Sequence, residues 1–132
     1  MTANKCLTCG TEHAERIPRC MGCGAELDGP LCLLASNGRR YVLRIDLRVN
    51  RAWARPLGED HRLWDADWQM QFRRQGSGWC VVPNPSARHD TLLNGAQLHV
   101  PTPLNLGDVL AVGRAAVNIA RTPLTVVSPT SA

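Results

Sequence analysis

Apolar positions recur with a period of two along most of this chain, in short stretches separated by turn-forming residues. Leu31 to Ala35 is an apolar run that stops at Ser36-Asn37-Gly38, which reads as a strand entering a hairpin. On the return, Tyr41, Leu43, Ile45, Leu47 and Val49 share one face and Arg40, Arg44, Asp46, Arg48 and Asn50 the other, with Val42 as the exception. One continuous strand with a buried and a wet face is expected. Ala52 to Leu63 contains Pro56 and Gly58 without a sustained period and predicts a loop or a short edge strand. Regularity resumes at Trp64, where Trp68, Met70 and Phe72 alternate with Gln69, Gln71 and Arg73 before a turn at Gln75-Gly76-Ser77-Gly78 and a returning Trp79 to Val82. Pro83-Asn84-Pro85 breaks that hairpin, Thr91-Leu92-Leu93-Asn94-Gly95 predicts a short strand ending in a turn, and Gln97 to Val100, Val109 to Val112 and Leu124 to Val127 supply further strands. Nothing predicts a helix longer than a turn or two. Short strands at such spacing, with Gly, Pro and Asn between them, predict an all-β sandwich or barrel.

The N-terminal stretch follows a different pattern. Cys6-Leu7-Thr8-Cys9-Gly10 is echoed by Cys20-Met21-Gly22-Cys23-Gly24, with ten residues between the two pairs. Zn²⁺ prefers four tetrahedral thiolates in a closed structural site, and each Cys-x-x-Cys turn supplies two of them. The glycine after each second cysteine tolerates the positive φ such a turn usually demands. Between the pairs Ile17 is the one large apolar residue, so this segment cannot build a core and metal must supply its folding energy. One structural Zn²⁺ held by Cys6, Cys9, Cys20 and Cys23 is therefore expected. A thioredoxin-like redox pair would need a flanking strand and helix, and a catalytic zinc would keep an open position. His13 reads as a solvated loop residue. Cys32 and Cys80, each between apolar neighbours, read as small core residues.

Composition sharpens this picture only in part. A chain of 132 residues has room for one sandwich of about 100 residues and a mini-domain too small to fold unaided. The expected division is a zinc ribbon over 1–28, a β-sandwich over 29–128 and a disordered tail over 129–132. The formal charge of +4 drops by two once four thiolates and one Zn²⁺ are counted, leaving the protein mildly basic. Of fifteen basic residues fourteen are arginine, which fits phosphate or nucleic-acid recognition and fits a codon preference equally well. No apolar stretch is long enough to cross a bilayer, the polar start lacks a secretory signal, and paired cysteines favour a reducing compartment; a cytoplasmic protein is expected.

Three segments of the β region also carry a family resemblance. Leu47-Arg48-Val49-Asn50-Arg51 is similar to the apolar-x-apolar-Gly-Arg segment of forkhead-associated (FHA) domains. Thr91-Leu92-Leu93-Asn94-Gly95 resembles the end of their Asn-Gly-Thr-x-Val-Asn-Gly segment. Leu104-Asn105-Leu106-Gly107-Asp108-Val109-Leu110-Ala111-Val112-Gly113 resembles their Leu-x-x-Gly-Asp-x-Ile-x-Leu-Gly. The resemblance runs from about Leu31 to Val127. It implies an eleven-stranded sandwich that binds phosphothreonine peptides at one loop end, through the Arg of Gly-Arg, the Ser and Arg of a Ser-Arg-x-His motif, and the Asn and Thr of the later loop.

The chain departs from that pattern at several positions. Arg51 matches, but Asn50 replaces the preceding glycine. Ser-Arg-x-His falls on Ala66-Asp67-Trp68-Gln69, which removes the hydroxyl and places a carboxylate where a cation would face phosphate, and no Ser or Thr occurs from Ala52 to Gln75. His89 and Asp90 stand at the Asn and Gly positions, while Thr91, Asn94 and Gly95 remain. Phosphate needs several convergent donors. The expectation is accordingly a non-enzymatic adaptor or scaffold with a degenerate FHA-like domain, in a bacterial phosphorylation-linked system. It would meet a protein partner through Arg51, Asp67, Gln69, His89, Thr91 and Asn94 without requiring phosphothreonine, with Trp64 or a nearby apolar side chain as anchor. In a structural reading of the same residues, Arg51 braces loops by pairing with Asp65, Asp67 or Asp90. The competing functions are a functional phosphothreonine-binding FHA domain and nucleic-acid binding along Arg39, Arg40, Arg44, Arg48, Arg51 and Arg55, although the ribbon itself, with Glu12, Glu15, Glu26 and Asp28, is not basic. No Gly-rich phosphate loop, Gly-x-Ser-x-Gly turn or His-Glu-x-x-His helix is present.

Overall fold

The computed structural model of the chain describes residues 4–5, 11–13, 30–75 and 78–128. The four paired cysteines and residues 129–132 lie outside them. On either side of the first cysteine pair, β1 (Asn4–Lys5) and β2 (Glu12–His13) pair antiparallel. The remaining strands are β3 (Leu31–Ala35), β4 (Arg40–Leu43), β5 (Leu47–Val49), β6 (Met70–Gln75), β7 (Gly78–Pro83), β8 (Asp90–Leu93), β9 (Ala96–Gln97), β10 (Thr102–Pro103), β11 (Val109–Arg114) and β12 (Ile119–Val127). They form a six-stranded sheet in the order β4-β3-β12-β11-β8-β9 and a four-stranded sheet in the order β10-β7-β6-β5, antiparallel throughout.

Alternation along the strands builds the core. Leu31, Leu33 and Ala35, Leu110 and Val112, and Leu124 and Val126 face Val49, Met70, Phe72, Trp79 and Val81 across the two sheets. Cys32 and Cys80 are buried as expected, but the strand alternation puts them on the sides of β3 and β7 opposite this cluster.

The expected continuous strand from Arg40 to Asn50 is two strands in different sheets. Arg44-Ile45-Asp46 carries the chain from one layer to the other, Asp46 Oδ1 accepts the Arg74 N–H of β6 at 2.8 Å, and Ile45 is 73% exposed rather than buried. A period of two persists across such a corner, so the pattern alone cannot reveal it. Ala52 to Leu63 is neither loop nor edge strand. Asn50 caps α1 (Arg51–Ala54) by accepting the Trp53 N–H at 3.1 Å, and 3₁₀ turns follow at Arg55–Leu57 and Glu59–Leu63. Ala54 and Trp64 are fully buried, and Trp53, Leu57 and Leu63 pack against the core. Among the described residues the two sheets hold ten strands, with these helical turns between β5 and β6, where the resemblance implied eleven. β12 carries a bulge, because Leu110 pairs with Leu124 but Val112 with Arg121. Within it Thr122 takes a φ of 53° and is buried.

Candidate functional site at the loop end

A continuous set of hydrogen bonds spans the connection between β5 and β6 and links it to the one that precedes β8. The Arg51 N–H donates to the Asp65 carbonyl at 3.0 Å, and the Asp65 N–H donates to Gln69 Oε1 at 2.9 Å. Gln69 Nε2 donates to the His89 carbonyl at 3.0 Å and to Thr91 Oγ1 at 2.9 Å, and the Thr91 hydroxyl donates to the Gln69 carbonyl at 3.3 Å. Alternation put Gln69 on the wet face, yet it is fully buried. Its amide is satisfied on both sides, which is what burial of a polar group requires.

Arg51 is exposed at the start of α1, with Nε donating to the Trp64 carbonyl at 3.0 Å. It pairs with no carboxylate among the described residues, so its bracing runs through a carbonyl and not through Asp65, Asp67 or Asp90. Two of those acids are engaged elsewhere: Asp65 Oδ1 accepts the Asp67 N–H and Asp90 Oδ2 the Ala115 N–H, at 2.9 and 3.0 Å. Trp64 cannot be the expected anchor, because it is fully buried, with Nε1 donating to Thr122 Oγ1 at 2.9 Å. Thr122, Trp64 and Arg51 thus form one chain of support, and the left-handed backbone at Thr122 is the strained part of it.

Of the expected contact residues, the structure brings Arg51, Gln69, His89 and Thr91 into this network, with Asp67 exposed beside it. Asn94 lies at the far end of β8, where its side chain joins two turns by donating to Asp108 Oδ1 at 3.1 Å and accepting the Val109 N–H at 2.9 Å. His89 lines a small cleft of about 150 Å³ with Asn84, Asp90, Thr91, Leu98 and His99. Three residues that sequence reasoning passed over complete the loop end. Thr122 supports Trp64, while His61 and Arg62 join Arg51, Ala52, Arg55 and Ala66 around an open concavity of about 450 Å³. Nothing in the local pattern marks His61 or Arg62, which stand next to Glu59 and Asp60 in an aperiodic stretch.

No family model matches the sequence, and no curated protein matches it. Solved structures do. An FHA domain studied for its phosphothreonine-dependent interactions superposes with a TM-score of 0.54 at 19% identity, covering 77% of this chain and 99% of that one. The FHA domain of an Arabidopsis thaliana hypothetical protein gives 0.57 at 19% identity, covering 80% and 92%. Mycobacterium tuberculosis EmbR, in complex with a low-affinity phosphopeptide, gives 0.61 at 17% identity; the match covers 87% of this chain and 28% of EmbR. The β-sandwich therefore has the FHA fold. Among the described residues no helix is long and apolar enough to cross a membrane.

Proposed function

We propose that this protein is a non-enzymatic protein-interaction module, an adaptor or scaffold, that grips a segment of a partner protein at the loop end of its FHA fold without requiring phosphothreonine. The observation that carries the reading is the network from Arg51 through Asp65 and Gln69 to His89 and Thr91, which ties two connections together beside an exposed guanidinium. Preorganised loops reduce the ordering cost of binding. The residues at the Ser-Arg-x-His position give Ala66, with no hydroxyl, and an exposed Asp67, so a phosphate there would lose one donor and face a carboxylate.

The N-terminal part of the proposal is one structural Zn²⁺ on Cys6, Cys9, Cys20 and Cys23. The donor set fits it, and the β1–β2 pairing flanks the first cysteine pair as a knuckle would need. The setting of the module in a cytoplasmic, phosphorylation-linked bacterial system belongs to the same proposal.

The experiment is selection of binders from matched unphosphorylated and phosphothreonine peptide libraries, repeated with Arg51→Ala. Unphosphorylated binders that lose affinity about tenfold or more in Arg51→Ala are expected. Phosphothreonine peptides binding at least about tenfold tighter than their unphosphorylated twins would overturn the phosphate-independent part and favour the behaviour of the phosphothreonine-dependent neighbour.

A further inference from the structure

The 51–66 segment balances Arg51, Arg55 and Arg62 against Glu59, Asp60 and Asp65, yet folding sorts these charges. The concavity is lined by Arg51, Ala52, Arg55, His61, Arg62 and Ala66, with no carboxylate in its wall. Among the described residues none of the three arginines is paired with an acid. The wall is also held in place. Trp53 packs its ring 4.2 Å from Tyr41, 5.6 Å from Trp64 and 6.3 Å from Phe72, and Asn37 Nδ2 donates to the Pro56 carbonyl at 2.9 Å. His61 Nδ1 meets the Gly58 carbonyl at 2.6 Å, so this nitrogen carries the proton and fixes the ring, leaving Nε2 as its remaining polar atom. Three guanidinium groups with no carboxylate partner among the described residues, set around one open space, repel each other until an anion enters.

We propose that this concavity is the acidic-peptide subsite of the loop end, in which Arg51, Arg55 and Arg62, with His61 beside them, hold two neighbouring acidic side chains of the partner. The proposal rests on the interaction reading above and adds the chemical class of the segment. One exposed ion pair contributes little, so a single acid would not suffice, whereas two acids met by three cations around one concavity would. Glu59, Asp60, Asp65 and Asp67 flank the lining residues in sequence and oppose a long polyanion. A compact pair of charges is therefore favoured over a continuous nucleic-acid backbone.

The test is fluorescence-anisotropy titration of the full chain with a labelled peptide carrying Glu-Glu in a neutral context. Its Gln-Gln, single-Glu and phosphothreonine counterparts and a duplex oligonucleotide are titrated alongside. Wild type is expected to bind the Glu-Glu peptide at least about tenfold more tightly than the Gln-Gln peptide, with affinity falling as salt rises. Arg55→Ala/Arg62→Ala should abolish that preference, and Arg73→Ala, on an exposed residue of β6, should leave it intact. Circular dichroism of each variant separates lost binding from lost fold. Equal affinity for Glu-Glu and Gln-Gln, or a preference that survives Arg55→Ala/Arg62→Ala, overturns the subsite. In that case library-selected binders without acidic residues that still depend on Arg51 would leave the interaction reading standing. Oligonucleotide binding tighter than peptide binding, and lost in Arg55→Ala/Arg62→Ala, would overturn the peptide assignment.

Discussion

At the scale of single residues, Gln69 joins the loop end to the core. Its amide contacts the Asp65 N–H, the His89 carbonyl and the Thr91 hydroxyl within a fully buried site. Gln69→Leu keeps nearly the same volume, so any loss comes from stranded polar groups and not from a cavity. It should cost about 2 to 4 kcal/mol in urea denaturation, and a loss below about 0.5 kcal/mol would mean the network is dispensable. Burial also sets the titration of three other groups. It pushes the Cys32 and Cys80 thiols above the ordinary 9.0 and the Tyr41 hydroxyl above 10.0. Arg40 and Arg44 oppose this shift at Cys32, Arg73 at Cys80 and Arg39 at Tyr41, while Asp46 adds to it at Cys80. Because each folded value lies above the unfolded one, the stabilising contribution is complete below the ordinary values and is lost as pH rises through the raised ones. The urea midpoint should therefore fall above about pH 9, and by less in Cys32→Ala/Cys80→Ala. A midpoint as sensitive in the double variant would remove the thiols as the cause.

At the scale of elements, the sharpest constraint is the approach of β11 to β12. A Cβ on Gly113 would collide with the Ile119 carbonyl, a backbone group that cannot rotate away, whereas a Cβ on Gly38 would meet open space. Gly38 has a φ of 88°, so Gly38→Ala should cost only about 1 to 2 kcal/mol through the left-handed backbone. Gly113→Ala should cost about 3 kcal/mol or more, or prevent folding, because it pries apart two strands of the six-stranded sheet. Thermal unfolding of the two variants side by side checks the order, and equal losses would contradict the packing account. The sequence was a partial guide at this scale. Asn94-Gly95 was legible as a turn and is one, with φ of 52° and 86° at its two residues. Trp53, Ala54 and Leu57 repeat at helical spacing after a capping Asn50, but a helix of four residues offers too few positions for the period to stand out against Pro56 and Gly58.

At the scale of the whole molecule, two parts with different sources of stability are expected, a metal-stapled N-terminus and a sandwich held by its apolar core. The purified protein should carry one Zn²⁺ per chain, Cys20→Ser should lose it, and chelation should leave the β-sheet circular dichroism of the larger part in place. Elemental analysis without zinc, or with iron and sulfide, would contradict this. The arginine run from Arg39 to Arg55 does not make one track. Arg40 lies on β4 and Arg48 on β5, in different sheets, Arg39 sits over the Tyr41 ring and Arg48 over Trp68, and Arg51 and Arg55 line the concavity. The sequence by itself determined the class of the fold, because a period of two punctuated by turn residues leaves a chain of this length little except a β-sandwich or barrel. It also set out the donor chemistry of the cysteine pairs and the positions that resemble an FHA domain. Only the tertiary structure decided which residues share a surface. It divided one alternating run between two sheets, buried Gln69 and Trp64, moved Asn94 away from Arg51, and gathered three arginines whose charges cancel in sequence. Periodicity is a local property of the backbone, whereas charge segregation and polar satisfaction depend on contacts between segments far apart in the chain.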